Sequence, residues 1–571
     1  MNMRDRPWKI IWILVSFILV LCLSIALSAR SSHSRSSLML PSIFSDNMVL
    51  QQQRNVAIWG WAQPGANITV QFRERQVTTQ TELDGKWITR IPSGEAGGPF
   101  QMEIRGPSQR TIENILVGEV WVAGGQSNMW WPVRNCSNAP SEMAEANYPD
   151  IRIWDANSSP QNNGWPASKP QKTVPANWEM TSPKTVGEFP GTAYFFAREL
   201  QQTLGVPIGI VHLAVPGQAI ETFLSEEFLD RHAPETVAWW NSSTEHQQKA
   251  KPGQLFNGMV YPTAPYTARG FIWWQGESNA TRANQYRILF PSLIQEWRRR
   301  WRDDRAPFLF VQLANFLALQ THPSEDDPWP ALRDAQRSAL KLPHTAIVAA
   351  IDVLRAEDDF NDIHPPHKQL IGHRLYLAAM AKVYGNTELN WSGPTYQSVK
   401  FQGDRAIVTF NHAETGLGTK TSEPLQGFAL AGEDRRFFWA EGKIEGDRVI
   451  LTSQRVPQPV AVRYAWANNP VGNLYNKAGL PAFGFRTDNW ILGTNKFHFR
   501  SLTLLELASE IQRELLPSQP ALQSLWAQAY QAIGEGKPDR AKQLIAQLLN
   551  QTIEDENLEQ ALQVLQTQLG R

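Results

Sequence analysis

Between Val117 and Tyr384, short apolar runs alternate with helix-like stretches, and each run ends in a polar turn. The runs are Ile115 to Ala123, Ile208 to Leu213, Gly270 to Trp274, Phe308 to Leu313 and Ala346 to Ala350. Helical spacing marks Thr192 to Leu204 and Tyr286 to Trp301. Alternation of this kind predicts a parallel sheet with helices on both faces. In such sheets ligands meet the carboxyl ends of the strands, so the turns after the runs are the places to look for chemistry.

The first such turn is Gly124-Gly125-Gln126-Ser127-Asn128. Two glycines permit a sharp exit from the strand, and Ser127 then stands near a helix start, where negative charge is stabilised. Alone, the tetrapeptide Gly-Gln-Ser-Asn also fits an ordinary turn. Three other strand ends carry Gly217, the run Gln275-Gly276-Glu277-Ser278-Asn279, and Asp362-Ile363-His364. Acyl transfer requires a nucleophile, a base, an orienting acid and donors for an oxyanion. Ser127 fits the nucleophile, His364 the base and Asp362 the orienting acid. His367 is an alternative base, although its neighbours Pro366 and Lys368 suit a surface position. The oxyanion donors expected are the backbone N–H groups of Ser127 and Gly217 and a side-chain amide. Gln275 is the first choice for that amide; Asn257, before Gly258, is a second choice that also reads as a turn asparagine. Glu277 serves either as a brace for its loop or as an acid.

The rest of the chain reads as flanking modules. A length of 571 residues implies about three or four domains. Residues 38–116 alternate and turn like a β-sandwich, 391–500 like a second one, and 117–390 hold the α/β pattern. Residues 501–571 switch to helical spacing, with Leu522, Trp526, Ala529 and Ile533 on one face. That tail is similar to one tetratricopeptide unit, which cannot bury its own face alone; helices docked on the body or a short bundle are the alternatives, and protein docking is a conceivable role.

Lys+Arg and Asp+Glu both number 54, so no net field attracts nucleic acid. The 11 histidines and two cysteines, Cys22 and Cys136, show no metal-binding spacing, and serine–histidine chemistry requires no cofactor. Arg4, Arg6 and Lys9 precede an uncharged run, Ile10 to Leu27, and small residues come after it. Residues 1–30 therefore read as an export signal or an uncleaved membrane anchor, with the body periplasmic, secreted or tethered outside the cytoplasm. Of the 23 tryptophans most belong to cores, while Trp130, Trp131, Trp273 and Trp274 lie near the predicted site and favour stacking on a sugar over a lipid tunnel.

Gly125-Gln-Ser-Asn-Met129, Trp274-Gln-Gly-Glu-Ser-Asn279 and Asp362-Ile-His-Pro365 together resemble the sialate O-acetylesterases and related carbohydrate acetylesterases of the SGNH hydrolase superfamily. Phe44 to Leu50, Val462 to Trp466 and Phe485 to Asp488 extend the resemblance over roughly residues 38 to 490. It implies a flavodoxin-like catalytic sheet and removal of O-acetyl groups from sialic acid or another acetylated sugar. It implies further that Ser127 is the nucleophile and His364 the base, with Gly217 and Gln275 near the oxyanion. Two departures stand out. Pro216-Gly217-Gln218 replaces a common Gly-Gly-Thr, and Asn361 occupies a position often held by the acid. A general arylesterase or lipase, and a non-catalytic carbohydrate-binding or assembly protein, are the competing readings.

Overall fold

The computed structural model describes residues 38–157, 166–234, 236–237, 240, 250–323, 327–420, 423–490, 492, 504–553 and 556–569. The expected signal or anchor, residues 1–30, lies outside them. Among the described residues no helix is long and apolar enough to cross a membrane.

The N-terminal part contains β1 (Val49–Gln51), β2 (Asn55–Trp61), β3 (Asn67–Phe72), β4 (Arg75–Gln80), β5 (Lys86–Pro92) and β6 (Gly97–Arg105). Next comes β7 (Gln109–Gly125), a strand of 17 residues. Its first half pairs antiparallel with β6, while residues 116–118 pair parallel with β1. Its second half is the central strand of a mostly parallel sheet. The short strand expected over Ile115 to Ala123 is thus the buried half of a longer one. The boundary expected at 116/117 falls inside β7: backbone hydrogen bonding runs on where the sequence pattern changes.

That sheet adds β8 (Ile151–Asp155), β9 (Trp178–Met180), β10 (Ile208–Ala214), β11 (Gly270–Trp274), β12 (Phe308–Val311) and β13 (Thr345–Val348). Their order is β13-β12-β11-β7-β10-β8-β9, parallel except for β9. Without the β8–β9 edge, this is the flavodoxin-like order. The chain leaves β7 for β10 on one side and later returns to β11 on the other, so the topological switch lies at the carboxyl end of β7.

Alternation along each strand feeds two cores. Val211 and Leu213 of β10, Phe271 and Trp273 of β11, and Val120 and Val122 of β7 face one cluster. Ile208, Ile210, Ile272, Trp274, Trp121 and Ala123 face the other. The first is closed by helix α3 (Ala283–Trp301) through Tyr286, Phe290 and Trp297. The second is closed by α2 (Gly191–Leu204) and α5 (Lys368–Lys382). Trp273 meets Trp297 edge-on at 5.5 Å and Phe223 edge-on at 5.4 Å, arrangements that add about 0.5–1.5 kcal/mol each beyond burial. Both Trp273 and Trp274 are fully buried. The expectation that they stack on a sugar is therefore corrected: they are core, and of the four only Trp130 and Trp131 reach solvent.

Helix α4 (Pro328–Gln336) joins this sheet to the C-terminal β part. Arg333, fully buried, donates to the carbonyls of Leu313, Ala314, Ala467 and Asn468 at 2.7–2.9 Å. Beyond it, two four-stranded antiparallel sheets face each other. Val408, Phe410 and Leu451 of one interleave with Leu430, Val462 and Phe485 of the other. The tail helices at 504–510, 523–534, 538–549 and 556–568, with the turns at 511–522, share one core among the described residues, which includes Trp526, Ile545 and Leu562. Of the readings offered by the sequence, the short bundle describes them.

Candidate active site

Gly125 has φ +139°, and a Cβ there would sit 2.1 Å from the Trp274 carbonyl oxygen. Only glycine lets β7 end so close to β11. Gly125 pairs with Ala214 of β10 on one side and Trp274 of β11 on the other. The turns after these three strands carry Ser127, Gly217 and Gln275, so three of the expected residues leave the sheet side by side.

Gln126 fastens the serine turn. Its N–H donates to the Trp274 carbonyl at 3.0 Å, and its Oε1 accepts from the N–H groups of Gly276 and Ser278. Ser127 opens the short helix α1 (Ser127–Trp130). It is half-buried, and the N–H of Trp131 donates to its carbonyl at 2.8 Å, which puts Trp131 one turn further on.

Trp131 meets the expected base, His364. Its ring stacks on His364 with centroids 4.4 Å apart and planes 13° from parallel. His364 Nδ1 lies 3.0 Å from Asp362 Oδ1, and the same oxygen accepts the His364 backbone N–H at 2.9 Å. With Nδ1 protonated and facing Asp362, the basic nitrogen is Nε2. Burial, then the positive charge of Lys368, hold the imidazole below its ordinary value, while Asp362 works in the opposite direction. His367 differs. Its Nδ1 is 2.8 Å from Ser137 Oγ and its Nε2 is 3.1 Å from Asp358 Oδ2, so both nitrogens are committed. Asn361 bonds Asp359 and not His364.

Gly217 has φ +69° with open space where a side chain would be, so glycine is needed for the turn and not for room. Gln275 is fully buried, and its Nε2 donates to the Gln218 carbonyl at 3.2 Å and to Asn279 Oδ1 at 2.8 Å. The first bond braces the Gly217 loop and the second its own loop; to meet an oxyanion Gln275 would have to release one. Asn279 continues the brace to Glu221 at 2.9 Å, and Glu221 pairs with Arg282. Asn257 donates to the Ala167 carbonyl and its own carbonyl accepts from Gln171, so its polar groups tie down the 167–171 loop.

Two further residues, Asn128 and Lys368, belong to the site. Asn128 is fully buried and donates to Glu277 Oε1 at 2.6 Å and to the Ile363 carbonyl at 3.1 Å. Its Oδ1 accepts from the Lys368 ammonium, which is also fully buried. Burial raises the Glu277 carboxyl above its ordinary value, and its Oε2 is buried without a hydrogen-bond partner. Through its Oε1, which accepts from Asn128, Glu277 ties its loop to the serine turn. The signal for Asn128 is its place beside the serine; for Lys368 it is only a spacing of four residues from His364. Among the described residues, no group of three His, Cys, Asp or Glu side chains could hold a metal ion.

Residues 117–381 match the family described as carbohydrate esterase, sialic acid-specific acetylesterase. The sialate O-acetylesterase of Pongo abelii is 26% identical over 472 residues, 75% of this chain and 87% of the relative. That of Homo sapiens is 26% identical over 477 residues, with the same coverage. The crystal structure of a carbohydrate acetylesterase from Xanthomonas citri is 38% identical and superposes with a TM-score of 0.72, covering 80% of this chain and 100% of that one. Taken with the flavodoxin-like sheet and the turns at its carboxyl edge, these likenesses show that the chain belongs to the sialate O-acetylesterase family of carbohydrate acetylesterases and is a carboxylic ester hydrolase.

Proposed function

We propose that the protein is an exported serine esterase that removes O-acetyl groups from sialic acid or another acetylated carbohydrate through an acyl-enzyme on Ser127. The observation that carries this reading is the meeting of the serine turn and the His364 ring on Trp131, with His364 Nδ1 held by Asp362.

In this mechanism Ser127 Oγ attacks the acetyl carbonyl carbon while His364 Nε2 takes its proton. The oxyanion formed is met by the backbone N–H groups of Ser127 and Gly217. Collapse breaks the bond to the sugar oxygen, which leaves with the proton from the imidazolium. Water, deprotonated by His364, then attacks acetyl-Ser127; acetate departs and the serine regains its proton. The half-exposed Trp130 offers an aromatic face on which a sugar stacks, beside Trp131, whose ring already carries His364. Export rests on Arg4, Arg6 and Lys9 before the apolar run Ile10 to Leu27.

The test is acetate release from aryl acetate and from a panel of acetylated sugars by the purified protein and by Ser127→Ala. The substitution is expected to lower kcat by a factor of at least about 10³. Equal activity in both proteins would remove Ser127 from the mechanism, and no release by either would favour a binding protein.

A further inference from the structure

The Lys368 ammonium is fully buried, yet the mechanism above does not use it. A lysine is rarely left wholly inside a protein unless something there compensates its charge. Its Nζ donates to Asn128 Oδ1 and lies 4.5 Å from the centroid of the Trp274 ring and 5.8 Å from that of Trp131. The other end of the Asn128 amide holds Glu277 and the carbonyl of Ile363, the residue between Asp362 and His364. One side-chain amide next to the nucleophile thus ties together the serine turn, the loop after β11, the base loop and the start of α5.

We propose that Lys368 is a positioning residue for the esterase: through Asn128 and with Glu277 it clamps the Ser127 turn against the Asp362–His364 loop and sets the charge beside His364. The inference rests on the assignment of Ser127 and His364 given above. Asn128 has both of its amide hydrogens and its oxygen engaged, so the clamp has one arrangement. Losing the lysine leaves the Asn128 oxygen without a donor, and the Glu277 carboxyl without a cation nearby.

The clamp has an electrostatic side. The ionisable groups acting on Lys368 are Cys136, from the segment after α1, Glu277, from the β11 loop, and Asp362, from the base loop. The Cys136 thiol is pushed up to about 12 by burial and is neutral at physiological pH. Burial pushes Lys368 down to about 7, whereas His364 lies below the ordinary imidazole value. The charge of protonated Lys368 disfavours the imidazolium and is, after burial, the second cause that lowers His364. Base catalysis needs neutral His364, so the lysine extends activity toward lower pH.

The experiment compares kcat, KM and the pH dependence of kcat/KM for the full protein, Lys368→Met and Asn128→Ala on an aryl acetate, with thermal melting of each. K368M keeps most of the side-chain volume but loses the charge and the hydrogen bond. It is expected to lower kcat roughly 10²-fold, the scale of a small misplacement of reacting groups, with little change in KM. Its acid limb is expected to move to higher pH. N128A, which leaves the ammonium in place, is expected to lower kcat without that upward move. A folded K368M with unchanged kcat and acid limb overturns the proposal. So does a K368M whose kcat falls while the limb stays fixed, since the lysine would then be packing alone. If K368M does not fold, N128A decides, and an unchanged kcat overturns the clamp. Ser127→Ala separates the two levels: residual full activity there refutes the serine mechanism itself, while an inactive S127A beside neutral K368M and N128A refutes only the clamp.

Discussion

Replacing Asp362 by asparagine should cost far less here than the same change in a buried serine-protease triad, where it lowers kcat about 10⁴-fold by selecting the wrong imidazole tautomer. Both bonds to His364, from the backbone N–H at 2.9 Å and from Nδ1 at 3.0 Å, converge on one oxygen, Oδ1. An asparagine can keep that oxygen in place and turn its NH2 toward solvent, because the Asp362 side chain is 48% exposed. The tautomer then survives and only the charge is lost. A charge-assisted hydrogen bond is worth about 1.5–3 kcal/mol when shielded; discounted for this exposure, about 1 kcal/mol remains. That corresponds to a roughly fivefold fall in kcat. Asp362→Ala removes the shared acceptor, releases the ring and should cost roughly 10²-fold. The sign on the pH axis is fixed by the same contact. Asp362 opposes the lowering of His364, so in D362N the imidazole falls further and the acid limb of kcat/KM moves to lower pH, opposite to K368M. Steady-state kinetics from pH 4 to 9, about the span over which a histidine titrates, test both points. A 10⁴-fold loss in D362N, or equal losses in D362N and D362A, would refute the reasoning.

His364→Ala should abolish acetate release to the level of Ser127→Ala, whereas His367→Ala, whose two ring nitrogens serve Ser137 and Asp358, should lower kcat by no more than about tenfold; a dead H367A beside an active H364A would exchange their roles. Arg333→Met orphans the carbonyls of Leu313, Ala314, Ala467 and Asn468. Burial brings this guanidinium down to about 9, so it is still charged at neutral pH, and its loss should lower unfolding free energy by about 3–5 kcal/mol in urea titration. A change below about 1 kcal/mol would mean that water replaces the guanidinium.

Much of the catalytic sheet is legible in the sequence because its strands are buried on both faces and end in turns rich in glycine and polar residues. Ser127, Gly217 and Gln275 stand in turns that close apolar runs, and the Asp362–His364 pair in the longer polar loop after the run ending at Val348, so local pattern picks them out as candidates. Distant segments decide the rest. Lys368 comes after Pro365-Pro366-His367 and looks solvated, yet it is buried because Trp131, Trp274 and Asn128 close over it. Gln275 looks like a free amide until the Gln218 carbonyl and Asn279 are seen to engage it. The four tryptophans near the site are alike as letters; whether each sits in the core or at the rim depends on how helices cover the sheet. The β8–β9 edge is short and sits in a polar stretch, so periodicity does not announce it.

The 17 residues of β7 have a consequence for what counts as the smallest working enzyme. At about 3.3 Å per residue the strand runs roughly 55 Å, beginning among the antiparallel strands and ending two residues before Ser127. A fragment trimmed to the family-matching segment 117–381 would cut this strand in mid-course and strip β1 and β6 from its flank. The antiparallel module is thus not a passenger joined by a tether. It is the root of the beam that holds Ser127 out, and a lineage exchanging its N-terminal part would have to graft within a continuous strand, where a one-residue slip turns every side chain to the wrong face.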